Sequence, residues 1–144
     1  MTEVPEKIDA PESDYLYTET STIADAGQGL FTAISIYKNE IVSLFKGEIL
    51  SNEEADSRSK NNDDAYFVSM INGDIMDSKH VDCFAKFAND AEGAAVTRAK
   101  NNTVITIDES QKVCLVATRN IKAGEEIFCG YGKRYWQSLK KRTT

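Results

Sequence analysis

The chain has few of the side chains on which metal sites and disulfide frameworks are built. It contains one histidine, His80, so a multi-histidine metal site cannot be formed within one chain. Its three cysteines, Cys83, Cys114 and Cys129, are an odd number without C-x-x-C spacing. This pattern favours neither a disulfide framework nor a thiolate zinc site, so we expect reduced thiols and no bound metal.

The sequence also lacks a long apolar run. No stretch approaches the roughly 20 apolar residues that a membrane span needs. The N-terminus is too acidic and polar to resemble a signal peptide. We therefore expect a soluble, intracellular protein without membrane contact, located in the nucleus or the cytoplasm.

Proline is scarce, and both prolines, Pro5 and Pro11, lie near the N-terminus. Five carboxylates accompany them: Glu3, Glu6, Asp9, Glu12 and Asp14. Such a segment buries little apolar surface, which predicts a flexible tail over residues 1–14. The chain has 144 residues, 41% of them hydrophobic, which is enough for one core. We expect a single domain over residues 15–144.

The balance of charge limits the classes of partner. The chain carries 17 basic and 23 acidic side chains, a net charge of -6. An acidic protein is poorly suited to a nonspecific grip on phosphate backbones, so we expect no direct nucleic-acid binding. The charge favours a cationic partner instead.

Short apolar segments separated by turn residues predict a mainly β fold with short helices. The strongest local pattern is a hairpin, in which Tyr66 to Met70 and Asp74 to Asp77 flank Asn72-Gly73, a dipeptide suited to positive φ angles. Other strands are predicted at Leu30 to Ile36, Glu40 to Phe45, Val104 to Ile107 and Val113 to Thr118.

Helices are predicted to be few and short. Ser51-x-x-Glu54 forms the pattern of a capping box for a helix over Asn52 to Ser59. Two further short helices fit at Asp82 to Ala88 and Arg134 to Lys141, and Ala123-Gly124 predicts a turn.

A glycine-rich loop, Gly27-Gln28-Gly29, precedes a predicted strand. Glycines allow the backbone to approach a ligand closely, although the same pattern is common in a tight turn. The loop is not a dinucleotide fingerprint, because the third glycine and the following helix are missing.

Five motifs in one order resemble the SET-domain family of protein lysine methyltransferases. The likeness extends from about Ala24 to Trp136, over most of the chain. The family's "G-x-G-L" motif is similar to Gly27-Gln28-Gly29-Leu30, its "Y-x-G-E" motif to Phe45-Lys46-Gly47-Glu48, and its "I-D-A" motif to Ile75-Met76-Asp77-Ser78. Its "A-R-F-I-N-H" motif is similar to Phe84-Ala85-Lys86-Phe87-Ala88-Asn89-Asp90. Its "G-E-E-L-t-x-d-Y-G" motif is similar to Gly124-Glu125-Glu126-Ile127-Phe128-Cys129-Gly130-Tyr131-Gly132.

The resemblance implies a fold and a cofactor. The fold is the β-clip-like SET domain, with a C-terminal pseudoknot in which the segment carrying Tyr131 threads under an earlier loop and lies beside the Asn89 segment. The cofactor is S-adenosylmethionine. Its expected binding residues are Gln28, Gly29, Asn89, Asp90 and Trp136.

The resemblance also implies catalytic residues. Methyl transfer requires a neutral lysine amine in line with the methyl group. Tyr131 is the candidate for the hydroxyl that orients this amine, and Tyr66 is a candidate wall of an apolar lysine channel. Ordinary roles remain open: core packing for Tyr66, Tyr131 and Trp136, and helix C-capping for Asn89.

Three positions depart from the family pattern. Asp90 stands where the family usually has histidine, and Cys129 and Gly130 stand where many members have an aromatic residue and an aspartate. The family's "S-C-x-P-N" segment after the Asn-His pair is missing. These departures leave the number of methyl groups added open.

The expected function is methylation of a lysine on a basic protein or peptide, such as a histone tail, with S-adenosylmethionine as donor. One alternative is a SET-fold module that binds cofactor or peptide with little or no turnover. Another is a purely structural interaction domain, which would bind no cofactor.

Overall fold

The computed structural model describes residues 4–70, 73–92, 99–110 and 112–130. Within these ranges the chain is built mainly of short β-strands. The strands are β1 (Glu6–Lys7), β2 (Leu16–Thr20), β3 (Gln28–Thr32), β4 (Glu40–Leu44), β5 (Glu48–Leu50), β6 (Phe67–Ser69), β7 (Ile75–Asp77), β8 (Thr103–Ile107), β9 (Val113–Ala117) and β10 (Glu126–Ile127). The helices are α1 (Glu12–Tyr15), α2 (Asn52–Lys60) and a 3-10 turn at Ala85–Phe87.

The strands form three small sheets, with orders β1-β4-β9-β8, β10-β3-β2 and β5-β7-β6. All pairs are antiparallel except β1 with β4. In the second sheet, β10 from the end of the described chain lies against β3 from its beginning, with Ile127 opposite Leu30. The mainly β fold with short helices is therefore confirmed.

The predicted hairpin is confirmed. Strands β6 and β7 pair with Val68 opposite Met76. Gly73 has a φ of 91°, the left-handed region that glycine adopts without strain, and its N–H donates to the carbonyl of Met70. Asn72, the other turn residue of the prediction, lies outside the described residues.

The capping box is also confirmed. The Ser51 hydroxyl accepts a hydrogen bond from the Glu54 N–H at 3.1 Å, and the Glu54 carboxylate accepts one from the Ser51 N–H at 3.1 Å. These bonds satisfy backbone donors that the first turn of α2 would otherwise leave unpaired.

Other predicted elements differ in length. Strands β4, β8 and β9 agree with the predictions within one residue at each end. The strand predicted at Leu30 to Ile36 is instead Gln28–Thr32, and the helix predicted at Asp82 to Ala88 is only a 3-10 turn over Ala85–Phe87. The helix predicted at Arg134 to Lys141 lies outside the described residues.

Part of the segment predicted as a tail contacts the sheet. Glu6 and Lys7 pair with Glu40 and Ile41 on the edge of β4. The Glu12 carboxylate accepts hydrogen bonds from the Ser43 hydroxyl and, at 3.1 Å, from the Leu44 N–H. The prediction of a tail over residues 1–14 was therefore wrong for these residues, because backbone pairing and a carboxylate acceptor hold a segment that has little apolar surface.

The main core draws residues from all three sheets. It includes Leu30, Ile36, Val42, Leu115 and Ile127, all fully buried. The three cysteines are free thiols and buried. In the part of the chain that the structure describes, no helix is long and apolar enough to cross a membrane.

Candidate functional site

Asn89 lies at the meeting point of three distant segments. Its side-chain Nδ2 donates to the carbonyl of Gln28 at 3.0 Å, and its own carbonyl accepts from the Cys129 N–H at 2.8 Å. The glycine-rich loop, the Asn89 segment and the strand that continues toward Tyr131 are thereby joined. Asn89 and Asp90 are half-buried, and Gln28 is exposed, so this junction is accessible to solvent.

The segment Phe128-Cys129 runs between Asn89 and Thr103, with bridge pairing to both sides. The Phe128 carbonyl accepts from the Asn102 N–H and the Thr103 N–H, both at 3.1 Å, and from the Thr103 hydroxyl at 2.8 Å. These bonds fix the direction in which the chain leaves toward residue 131. The threading of the Tyr131 segment itself lies outside the described residues, so the pseudoknot stays a prediction.

The Asn102 side chain binds the backbone of the same segment. It is completely buried, its Nδ2 donates to the Glu126 carbonyl at 2.9 Å, and its Oδ1 accepts from the Phe128 N–H at 2.8 Å. The Asn102 side-chain amide thus provides the donor and the acceptor that this stretch of backbone needs, as a neighbouring strand would. Sequence analysis missed Asn102, because its partners are 24 and 26 residues away.

Asp90, where the family usually has histidine, uses one carboxylate oxygen within its own loop. Its Oδ1 accepts from the Glu92 N–H at 2.9 Å and from the Asn101 Nδ2 at 3.0 Å. The Asn101 Oδ1 in turn accepts from the Ala91 N–H at 2.8 Å. The acidic side chain therefore helps to order the turn that follows Asn89.

The glycine-rich loop approaches a buried carboxylate. Gly27 has a φ of 74°, and a Cβ atom added at Gly29 would lie 2.3 Å from the Glu126 Oε2. Position 29 thus requires glycine for lack of space, whereas position 27 requires it for its backbone angle. Sequence analysis identified both glycines but missed Glu126, although its place in the G-E-E motif is a signal that could have found it.

Tyr66 lies just before β6 and is half-buried. The Lys86 ammonium stands 5.7 Å from the centre of the Tyr66 ring and 5.4 Å from that of Phe87. Lys86 Nζ also donates to the carbonyls of Ser78, Lys79 and Val81, at 3.2, 3.3 and 3.0 Å. The Tyr66 ring therefore already faces one cation, and its role as a channel wall stays a prediction.

Two predicted site residues, Tyr131 and Trp136, lie outside the described residues. The described chain reaches Gly130, where an added Cβ would lie 3.0 Å from the Asn101 Nδ2. The chain therefore passes close to the Asp90 loop immediately before position 131.

A cleft with a volume of about 640 Å³ lies elsewhere in the described chain. It is lined by Pro11, Glu12, Ser13, Thr18, Leu44, Lys46, Asp82, Cys83, Phe84, Lys86 and Phe87. Of the predicted cofactor residues that the structure describes, Gln28, Gly29, Asn89 and Asp90, none lines it. In the described ranges, no group of three or more histidine, cysteine, aspartate or glutamate side chains could hold a metal ion.

A known protein family contains the same segments in the same order. The family model of the SET domain matches residues 27–132, from the glycine-rich loop through the motif that contains Glu126. The chain belongs to the SET-domain family. The family match therefore covers nearly the same residues as the resemblance found in the sequence.

Two relatives of this SET domain are plant histone-lysine N-methyltransferases. EZ1 of Zea mays is 32% identical over 109 residues, which are 74% of this chain and 11% of that protein. EZA1 of Arabidopsis thaliana is 31% identical over 112 residues, 74% of this chain and 12% of that protein. The chain thus spans only 11% to 12% of the length of these relatives.

The fold has a solved counterpart. The structure of ctPRC2 in an autoinhibited conformation bound to S-adenosylmethionine matches with a TM-score of 0.71 and 24% identity, over 90% of this chain and 16% of that one. This likeness shows the fold, and it confirms the predicted SET architecture for the described residues.

Proposed function

We propose that this SET domain is a protein-lysine N-methyltransferase that uses S-adenosylmethionine. The observation that carries the proposal is the junction of Gln28, Asn89 and Cys129 within a chain whose SET match covers residues 27–132. The names of the two plant relatives support the reaction class.

The described residues fit the amino-acid end of S-adenosylmethionine. That end carries an ammonium and a carboxylate, which need acceptors and donors side by side. The Asn89 amide offers both kinds of group, and Gln28, an exposed residue, lies directly beside it. When bound, this cofactor supplies the methyl group on its sulfonium. We propose Gln28, Gly29, Asn89 and Asp90 as its binding residues, with Trp136 against the adenine.

The acceptor must lose a proton before it can react. A free lysine has a pKa of about 10.4, so obtaining its neutral amine at pH 7 costs about 4.6 kcal/mol. An apolar channel offsets this cost, because burial disfavours the charged amine. We propose Tyr66 as one wall of the channel and Tyr131 as the hydroxyl that accepts an amine hydrogen and aligns the nitrogen lone pair.

The proposed substrate is a basic protein or peptide. A net charge of -6 favours a lysine-rich partner over an acidic one. A histone tail fits this description and agrees with the names of the relatives. A histone substrate would place the protein in the nucleus.

The proposal is tested by transfer of a labelled methyl group from S-adenosylmethionine to basic proteins, histones among them. We expect label on lysine, and we expect Tyr131→Phe to lower the rate at least about a hundredfold, which corresponds to about 2.7 kcal/mol of transition-state stabilisation, without weakening cofactor binding. Tyr37→Phe is the matched control, because Tyr37 is 60% exposed and belongs to none of the five motifs.

The other outcomes separate the alternatives. Cofactor binding by calorimetry without transfer to any acceptor, including whole-cell lysate, would favour a binding module. A chain that binds no cofactor would contradict the enzymatic proposal and leave an interaction domain.

A further inference from the structure

Glu126 is a buried carboxylate that receives three hydrogen bonds. It is 5% exposed. Its Oε2 accepts from the Ser21 hydroxyl at 2.7 Å, and its Oε1 accepts from the Thr22 N–H at 2.8 Å and the Thr22 hydroxyl at 2.6 Å. Burial of a charge is costly unless such donors compensate it, and hydrogen bonds to a charged acceptor are stronger than neutral ones. The carboxylate therefore holds residues 21 and 22 firmly.

These two residues begin the loop that leads into the glycine-rich motif. The Ser21 N–H donates to the Gly27 carbonyl at 2.8 Å, and the Ser21 hydroxyl accepts from the Ile23 N–H at 3.1 Å. The hydrogen bond between Ser21 and Gly27 thus closes residues 21–27 into a loop. Glu126 lies at the base of this loop, so its position determines where the loop ends.

The same carboxylate limits the exit from the loop. Gly29 packs so closely on the Glu126 Oε2 that a Cβ atom would lie 2.3 Å away. Between Gly27 and Gly29 lies Gln28, whose carbonyl accepts a hydrogen bond from the Asn89 Nδ2. The backbone that the proposed cofactor would touch pairs with β2 and has Glu126 packed against Gly29 and Asn89 bound to Gln28.

The strand that carries Glu126 has a separate support. Ile127 pairs with Leu30 in the sheet, and buried Asn102 binds the Glu126 carbonyl at 2.9 Å and the Phe128 N–H at 2.8 Å. None of these bonds uses the Glu126 carboxylate. Neutralising the carboxylate should release the loop while leaving the strand toward Tyr131 in place.

We infer that Glu126 is a positioning residue for the cofactor loop, which sets the affinity for S-adenosylmethionine and not the rate of methyl transfer. This inference rests on the proposed function. The Glu126 carboxylate is buried against Ser21, Thr22 and Gly29. It acts through Ser21, Thr22 and Gly29 on the backbone of Gln28.

The test is Glu126→Gln, which keeps the shape of the side chain but removes the charge and one acceptor. We expect the Kd for S-adenosylmethionine, measured by calorimetry, to rise about tenfold, or about 1.4 kcal/mol. We expect kcat at saturating cofactor to stay within about twofold. Without cofactor, we expect faster hydrogen exchange at the Thr22 amide and unchanged exchange at the Phe128 amide.

Glu125→Gln is the matched control, because it makes the same change one residue away. Glu125 accepts from the Lys122 N–H at 3.1 Å and lies 3.5 Å from Arg119, in the turn before β10. We expect it to leave both the Kd and kcat unchanged. If Glu126→Gln does not fold, Thr22→Val removes only the hydroxyl donor and should raise the Kd severalfold with the same pattern of exchange.

The inference is overturned if a folded Glu126→Gln chain binds cofactor as tightly as the wild type, or if kcat falls in step with the affinity. A wild-type chain that binds cofactor but transfers no methyl group contradicts the proposed activity alone, because the Kd and exchange measurements still decide the role of Glu126. A wild-type chain that binds no cofactor overturns both.

Discussion

A single atom added at the glycine-rich loop would meet the buried carboxylate. At Gly29 the added Cβ would contact Glu126, whereas at Gly124 it would enter open space. Gly124 nevertheless has a φ of 88°, which a side chain tolerates poorly. The two glycines are therefore required for different physical reasons, lack of space in one case and backbone conformation in the other.

Alanine at the two positions should separate these reasons. We expect Gly29→Ala to weaken cofactor binding by more than about tenfold, because Glu126 or the loop must move. We expect Gly124→Ala to destabilise the chain by about 1 kcal/mol while the Kd of the folded protein stays unchanged. Calorimetry and thermal unfolding measure both. Equal cofactor affinity in Gly29→Ala and wild type would contradict the close packing at position 29.

At the scale of an element, α2 depends on its ends more than on its packing. Ala55 is the buried residue of this helix, so little apolar area holds it to the core. The capping box stabilises its first turn, and Arg58 in its last half binds buried Asp77 at 2.7 Å and Glu48 at 3.3 Å. A short helix with so little burial requires such polar contacts.

Removal of the cap gives a stability change that depends on pH. We expect Ser51→Ala to cost about 1 kcal/mol at neutral pH. The backbone N–H of Ser51, followed by its hydroxyl, holds the pKa of Glu54 below its ordinary value of 4.5. A lowered pKa contributes stability above that value, which is lost as the pH falls through the folded pKa. The difference between variant and wild type should therefore shrink in acid.

Urea unfolding at several pH values checks this expectation. Ser57→Ala is a suitable control, because it removes a hydroxyl from the same helix but not from its cap. A difference between Ser51→Ala and wild type that is constant from neutral pH to acid would show that Glu54 takes no part in the effect.

At the scale of the whole molecule, β9 is an interior strand of the four-stranded sheet. It pairs with β4 on one side and β8 on the other, and every residue from Val113 to Ala117 is buried. Cys114 lies within it, completely inaccessible. Burial, assisted by the Asp108 carboxylate, raises the pKa of the Cys114 thiol to about 11. Its modification therefore requires opening of the sheet.

We expect alkylation of Cys114 at about pH 8 to be slow and to accelerate in urea in parallel with global unfolding. Since the folded pKa is raised, the thiol favours the folded state below its ordinary pKa of 9.0, and this contribution is lost as the pH rises toward about 11. Mass spectrometry of labelled peptides resolves each cysteine. Modification of Cys114 in native buffer as fast as in the unfolded chain would contradict the burial of β9.

The sequence by itself determined the elements whose causes are local. The hairpin around Gly73 and the capping box of Ser51 and Glu54 need only neighbouring residues, so turn chemistry and capping rules sufficed. The motif order was enough to place Gln28 and Asn89 in one predicted site. The roles of Tyr131 and Trp136 stay predictions from the sequence.

Tertiary structure alone decided which distant groups meet. The carboxylate of Glu126 binds Ser21 and Thr22, which are 105 and 104 residues away in the sequence. Glu6 and Lys7 pair with the edge of β4. No local pattern encodes these contacts, because they arise only when β10 closes against β3 and the N-terminal segment reaches an unpaired sheet edge. The physical reason is that these hydrogen bonds join groups that come close only in the folded state. Sequence patterns indicate only the local structure that each segment prefers.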